Sequence, residues 1–187
     1  DGALYQAVTR GNGYIGELVT GTVRAFRNVP LRIPFRGELL LRGEALMRYS
    51  DFARINAELP ETEAKYKNPR NLCTGTVRQL DPAVTAARGV YFHAFSLVEA
   101  EGVDFRNSRA AQFDWLRSQG FEVVEYETVT AETLRESVLR FEAKIPKNDF
   151  PSDGLVLLLD DIAYGESLGR TAKFPRNAIA FKWQDEQ

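Results

Sequence analysis

Leu39-Leu40-Leu41-Arg42-Gly43-Glu44-Ala45-Leu46-Met47 is an apolar run interrupted only by an Arg-Gly-Glu step. Its length and composition read as a buried strand. A carboxylate costs several kcal/mol to bury without a partner. Glu44 is therefore expected to face a cation or a polar ligand, with Gly43 letting that object approach the backbone. The competing reading is a solvated glutamate at a strand edge.

Upstream, residues 2–10 read as a strand ending in Arg10-Gly11-Asn12-Gly13, whose glycines permit a tight turn. Such a turn beside an arginine either cradles a phosphate or simply closes a hairpin. Val19 to Phe26 suits a short helix or turn, and Pro30 and Pro34 bracket an extended segment. Just downstream of the run, Ser50 reads as the N-cap of a helix. Phe52, Ile55 and Leu59 share one face of it, and Pro60 stops it.

Tyr66 to Asp81 has little hydrophobic period and suits a loop and short helix lining a groove. Arg70 and Arg78 within it are able to receive phosphates bidentately, or form a solvated face. Val90 to Val98 is apolar on both faces and is expected to be a central strand. His93, the single histidine, lacks partners for a metal site or a triad and is assigned no chemistry. Phe95 serves either the core or as a flat surface for a base.

Farther on, a helix is expected from Ser108 to Gln119 with a stop at Gly120, then a strand from Phe121 to Thr128. Thr130 would cap a helix carrying Leu134, Val138, Phe141 and Ile145. Asp153-Gly154 opens a strand from Leu155 to Leu159. The last strand, Ala178 to Trp183, sets Ala178, Ala180 and Lys182 against Ile179, Phe181 and Trp183. The two alanines leave room for a ligand beside Lys182, whose amine would bring a point charge to a phosphate. Tyr164 to Arg176 is a basic, glycine-bearing connection and the strongest local positive patch.

With 187 residues, 44% of them hydrophobic, the chain is able to bury a real core and is expected to be one domain. Its 24 basic and 26 acidic residues give no global basic footprint, so contact with a polyanion requires a local patch. One cysteine, Cys73, excludes an internal disulfide framework and a multi-cysteine zinc site. No apolar run reaches membrane-span length and no signal-peptide pattern is visible. A cytoplasmic monomer is expected. Entry into a strand directly from Asp1-Gly2, and a polar exit after Trp183, read as a piece of something longer.

Several of these stretches, in this order, resemble the adenylation domain of bacterial NAD-dependent DNA ligases, a branch of the covalent nucleotidyltransferases. The most specific is Asn68-Pro69-Arg70-Asn71 followed by Arg78-Gln79-Leu80-Asp81-Pro82. It is supported by Thr9-Arg10-Gly11-Asn12-Gly13 with Gly16-Glu17, by Arg42-Gly43-Glu44, by Asp153-Gly154, and by Pro175-Arg176-Asn177-Ala178-Ile179-Ala180-Phe181-Lys182. The resemblance covers nearly the whole chain. It implies an α+β fold, mostly antiparallel sheets flanked by helices, of the ATP-grasp-like covalent nucleotidyltransferase type.

The resemblance also implies a reaction. A lysine of a Lys-x-Asp-Gly motif, two positions before Asp1, attacks the α-phosphorus of NAD and expels nicotinamide mononucleotide; the AMP then passes to the 5′-phosphate of nicked double-stranded DNA. Mg2+ and cationic side chains stabilise the phosphoryl charge. By resemblance, Asp1 and Gly2 arrange the lysine and adenylate, Glu44 accepts from the ribose hydroxyl, and Phe95 stacks on adenine. Arg70 and Arg78 serve the nucleotide and nicked-DNA face, Asp153 positions metal or lysine, and Lys182 contacts the α-phosphate. Asp1, Glu44, Asp153 and Lys182 are expected to share one adenylate-sized cavity.

The departures from the family pattern are specific. Leu158 stands where a lysine is usual, and Lys173 is a conceivable substitute for its charge. Asn12 and Leu18 replace common acidic residues, and Phe95 replaces a tyrosine. Leu158 and the lysine absent before Asp1 leave open a non-catalytic nucleotide- or DNA-binding module of the same fold. The shared roles of Glu44 and Lys182 leave open an ATP-dependent ligase or capping relative, against which the Asn68–Asn71 stretch argues.

Overall fold

The Leu39–Met47 run forms strand β1 (Leu39–Leu46), paired antiparallel with β2 (Tyr91–Ala100) in a computed structural model that describes residues 1–183. Along β1 the exposure alternates: Leu41, Gly43 and Ala45 are partly buried, while Leu40, Arg42 and Glu44 are exposed. The strand is thus half-buried, which corrects the reading of a strand buried throughout. Leu40, an outward-facing leucine inside the apolar run, hides the alternation. Glu44 stays in water and has no burial cost to offset.

The chain forms two compact units. The first comprises Asp1–Glu101, Leu116–Val124 and Asp149–Pro151; the second comprises Gly102–Trp115, Glu125–Asn148 and Ser152–Gln187.

In the first unit, α1 (Thr20–Val23), α2 (Tyr49–Glu58), α3 (Pro69–Arg78) and α4 (Pro82–Arg88) accompany the β1–β2 pair. Phe26, Met47, Ile55, Leu72, Cys73 and Val90 form its core. A fully buried side chain such as Leu72 or Met47 contributes about 1.5–3 kcal/mol. The buried positions of α3 are Pro69, Leu72, Cys73 and Thr76, a single stripe at helical spacing. Buried Thr76 donates its hydroxyl to the Leu72 carbonyl at 2.7 Å and accepts from Arg88 Nη1 at 2.9 Å, which ties α4 to α3. The segment read as loop and short helix is therefore a full ten-residue helix.

The start of α3 explains the Asn-Pro-Arg-Asn wording physically. Asn68 is the N-cap, its side-chain oxygen accepting from the Asn71 amide at 2.8 Å, and Pro69 occupies the first turn. Both choices suit a helix start, because the cap satisfies an orphan donor and proline has none to lose. Asp81-Pro82 repeats the device at α4, with Asp81 accepting from the Ala83 and Val84 amides.

Residues 2–10 do not form a continuous strand. Ala3 bridges Arg32 and Val8 bridges Leu18, so the segment changes partner midway and no ladder propagates. Ser50 is not the cap of α2. That position belongs to Arg48, and the orphan amides of Tyr49 and Ser50 donate instead to the carbonyl and carboxylate of Asp149. The expected strand from Phe121 to Thr128 is reduced to one parallel bridge between Val123 and Ala94. That bridge nonetheless gives β2 hydrogen bonds on both edges, as expected for a central strand.

Helix α5 (Arg109–Ser118) belongs to the second unit up to Trp115 and to the first beyond it. The second unit also holds α6 (Leu134–Lys144), β3 (Gly154–Leu158), α7 (Ile162–Ser167) and β4 (Ala178–Lys182). The N-cap of α6 is Thr133, not Thr130, whose carbonyl accepts from Thr133 and Leu134 in the preceding turn. Asp161 caps α7; the Tyr164 amide, and then the Asn107 side chain, hold its carboxyl below the usual range. Strands β3 and β4 pair antiparallel with Gly154 opposite Lys182 and Leu158 opposite Ala178. Among the described residues no helix is long and apolar enough to cross a membrane.

Two outcomes test the first unit. Asn68→Ala is expected to lower unfolding free energy by about 1 kcal/mol in urea melts. Burial, reinforced by the nearby Glu44 charge, lifts the Cys73 thiol from 9.0 to about 12. Native protein should therefore resist alkylation at pH 8 and label only on unfolding, as read by mass spectrometry. Because the unfolded thiol ionises first, alkali should cost the folded state stability as pH rises between those two values.

Candidate functional site

In the first unit the β1–β2 pair carries Glu44 and Phe95. Gly43 lies opposite Ala94 but Arg42 lies opposite Ser96, so Phe95 is an extra residue on β2. A second irregularity skips Val98 between Leu97 and Glu99. A bulge of this kind bends its strand and sets two residues against one. It turns Phe95 toward the sheet face that holds Arg42 and Glu44, where 45% of it remains exposed. An exposed ring and an exposed carboxylate on one face supply a stacking plane and a hydrogen-bond acceptor.

Gly43 does not serve ligand approach as expected. A Cβ there would lie 2.3 Å from the Phe92 ring and 2.4 Å from the His93 carbonyl, so the space already belongs to the sheet. His93 sits directly across from Glu44. Its Nε2 is 3.2 Å from a Glu122 oxygen without hydrogen-bond alignment, and its ring packs edge-on against Phe150.

Asp1-Gly2 is held firmly. Arg36 Nη1 donates to the Asp1 carbonyl at 2.7 Å, and the Ile33 amide donates to the Gly2 carbonyl at 2.8 Å. Gly2 adopts φ +84°, and a Cβ would meet the Ile33 carbonyl at 2.6 Å, so only glycine fits. In the Arg10–Gly13 turn, Asn12 Oδ1 accepts from the Tyr14 and Ile15 amides. That task needs only an oxygen acceptor, which the asparagine supplies.

Arg70 and Arg78 both lie on the exposed side of α3, about 12 Å apart along its axis. Neither pairs with a carboxylate among the described residues. Glu44 lies within electrostatic reach of Cys73 on the buried side of the same helix. The first unit thus relates Glu44, Phe95 and the arginine helix through one sheet–helix layer.

In the second unit, Asp153 and Lys182 lie at one end of the β3–β4 ladder, where Asp153 stands across from Trp183 and so on the opposite face from Lys182. The Trp183 amide donates to the Asp153 carbonyl at 2.9 Å, and Gly154 stands opposite Lys182. A Cβ on Gly154 would fall 2.0 Å from the Phe181 carbonyl, so the Asp-Gly step is what lets β3 lie this close to β4. Opposed residues share a face. Val156, Leu158, Ala178, Ala180 and Lys182 therefore lie on one side, with the expected alanine-lined approach to the lysine. Leu158 is at the far end of that face, about 13 Å along the strand from Lys182. Lys173 belongs to an exposed hairpin between α7 and β4.

A divalent ion finds no ready protein cage: among the described residues no group of three or more His, Cys, Asp or Glu is placed to hold one. Exposed Asp153 still suits Mg2+, which commonly takes one or two carboxylates and completes its shell with substrate phosphates and water.

Comparison with known proteins shows the family. The family described as the NAD-dependent DNA ligase adenylation domain matches residues 1–186. A protein named DNA ligase from Lachnoclostridium phytofermentans is 59% identical over 186 residues, covering 100% of this chain and 28% of its own length. Another DNA ligase, from Ruminiclostridium cellulolyticum, is 58% identical with the same coverage. One from Thermodesulfovibrio yellowstonii is 34% identical over 194 residues, covering 100% of this chain and 29% of its own length. The chain thus spans less than a third of the curated relatives it matches. It belongs to the adenylation-domain family of NAD-dependent DNA ligases.

Proposed function

We propose that this chain is the nucleotidyltransferase core of an NAD-dependent DNA ligase. The observation that carries the reading is the family match over residues 1–186, which takes in every motif assigned to the site. In this reading a lysine two positions before Asp1 is the nucleophile. Its amine attacks the α-phosphorus of NAD; the N–P bond forms, the bond to nicotinamide mononucleotide breaks, and the amine gives up a proton. The AMP then moves to the 5′-phosphate of nicked DNA.

The chain's own residues bind and orient. Phe95 offers its exposed ring to adenine, and Glu44 accepts a hydrogen bond from a ribose hydroxyl. Lys182 brings its amine to the α-phosphate, where fixed positive charge favours the transition state over the ground state. Asp1 and the anchored Gly2 backbone set the direction of the nucleophile's segment. Asp153, with the substrate's phosphate oxygens, would hold Mg2+, which supplies further positive charge to the phosphoryl oxygens. Lys173 offers a replacement for the charge missing at Leu158. Arg70 and Arg78 address phosphates of the nucleotide and of nicked DNA. We assign the parent protein to the cytoplasm and to a monomeric state.

A non-catalytic module of the same fold, the reading Leu158 leaves open, is not favoured, since the matching family is an adenylation domain. The ATP-dependent relatives are not favoured, since the matching family is the NAD-dependent one.

Protein that includes the residues preceding Asp1 is expected to gain covalent AMP from NAD with magnesium, and none from ATP, by intact mass. Absence of the adduct, or equal labelling by ATP, rejects the reading. Lys182→Ala should slow AMP uptake by about 100-fold or more.

A further inference from the structure

The basic stretch that runs from the end of α7 through β4 is not used by the roles assigned above, apart from Lys173 and Lys182. From Ser167 to Gln184 the sequence has no acidic residue, yet it carries Arg170, Lys173, Arg176 and Lys182. None of these four pairs with a carboxylate among the described residues. Glu166, the acid that immediately precedes the stretch, lines with Arg170 a cavity of about 300 Å³ at its base.

This stretch is a built hairpin. Gly169, at φ +69°, turns the chain out of α7, and the Arg176 amide donates back to its carbonyl at 3.0 Å. Arg170 bridges Pro175. At the tip, the Thr171 amide and hydroxyl both donate to the Phe174 carbonyl, at 2.7 and 3.0 Å. The Thr171 hydroxyl oxygen in turn accepts from the Phe174 amide at 2.9 Å. The backbone of Phe174 is thereby fixed while 68% of the residue is exposed. A phenyl ring held out in water, flanked by cations without acidic partners, matches a surface that offers phosphates and flat apolar faces together. A nicked duplex offers both: phosphates for guanidinium groups, and sugar edges or, at the break, an unstacked base face for an aromatic ring.

We propose that the Gly169–Arg176 hairpin is a DNA contact of this domain, in which Arg170 and Arg176 hold duplex phosphates and Phe174 packs on a base or sugar beside them. The inference rests on the ligase reading and adds to it a contact carried by an aromatic residue outside the nucleotide-binding set. Thr171 is a positioning residue for that ring.

The test uses the full-length protein and a fluorescent nicked duplex, with affinity measured by anisotropy across a salt series, and AMP uptake from NAD followed separately by mass. Phe174→Ala is expected to weaken duplex binding about tenfold, and Phe174→Trp to restore it, because stacking tolerates any large aromatic. Arg170→Ala should reduce the salt slope by about one. AMP uptake by Phe174→Ala should match the parent. Parent-level affinity in Phe174→Ala, an unchanged slope in Arg170→Ala, failure of Phe174→Trp to rescue, or no duplex binding by the parent would each overturn the proposal. AMP uptake falling in step with affinity would also overturn it, by making the hairpin part of the nucleotide site. Loss of AMP uptake in the parent itself would sink the ligase reading, while the duplex measurements still judge the hairpin.

Discussion

The first unit depends on the close packing of one helix face. Pro69, Leu72, Cys73 and Thr76 of α3 are buried together, in the same core as Met47 and Val90. Leu72 and Val90 are wholly withdrawn from water. A stripe packed this tightly fixes the rotation of the helix about its axis, since interiors tolerate few voids. Rotation in turn decides what the opposite side presents. Arg70 and Arg78 are exposed because the stripe is buried, and the Glu44 charge reaches Cys73 through the same layer.

This packing separates two kinds of information in the most specific motif. In Asn68-Pro69-Arg70-Asn71, the asparagine and proline start the helix, and Arg70 is the residue left over for chemistry. In Arg78-Gln79-Leu80-Asp81-Pro82, the last two residues start the next helix in the same way. Much of what makes the stretch recognisable is capping. In the proposed function it is the exposed side chains left over by capping, Arg70 and Arg78, that address phosphates.

The second unit obeys a different constraint. Here a missing side chain sets the geometry, because the Phe181 carbonyl takes the place where a Cβ of residue 154 would be. Register follows from that close approach. It aligns Gly154 with Lys182, and the alternation of β4 then collects Ala178 and Ala180 on the lysine's side. The same alternation turns Phe181 toward Leu134, Val138 and Leu139, which line an apolar groove with it.

The sequence by itself determined the elements whose pattern is local. These are the two-faced alternation of β4, the Arg10–Gly13 turn, the stop at Gly120, and the ordered motifs that carry the family. It understated α3, because the helix begins on an Asn-Pro step that reads as loop and its buried stripe mixes Leu72 with a proline, a cysteine and a threonine. Tertiary structure alone decided features whose partners are distant. Asp149 supplies the amide acceptors at the start of α2 from 99 residues away, and the bulge that turns Phe95 outward exists only as a mismatch between two strands. The exposure of Glu44 belongs with these. A side chain's burial depends on what covers its face, and residues far along the chain supply that cover.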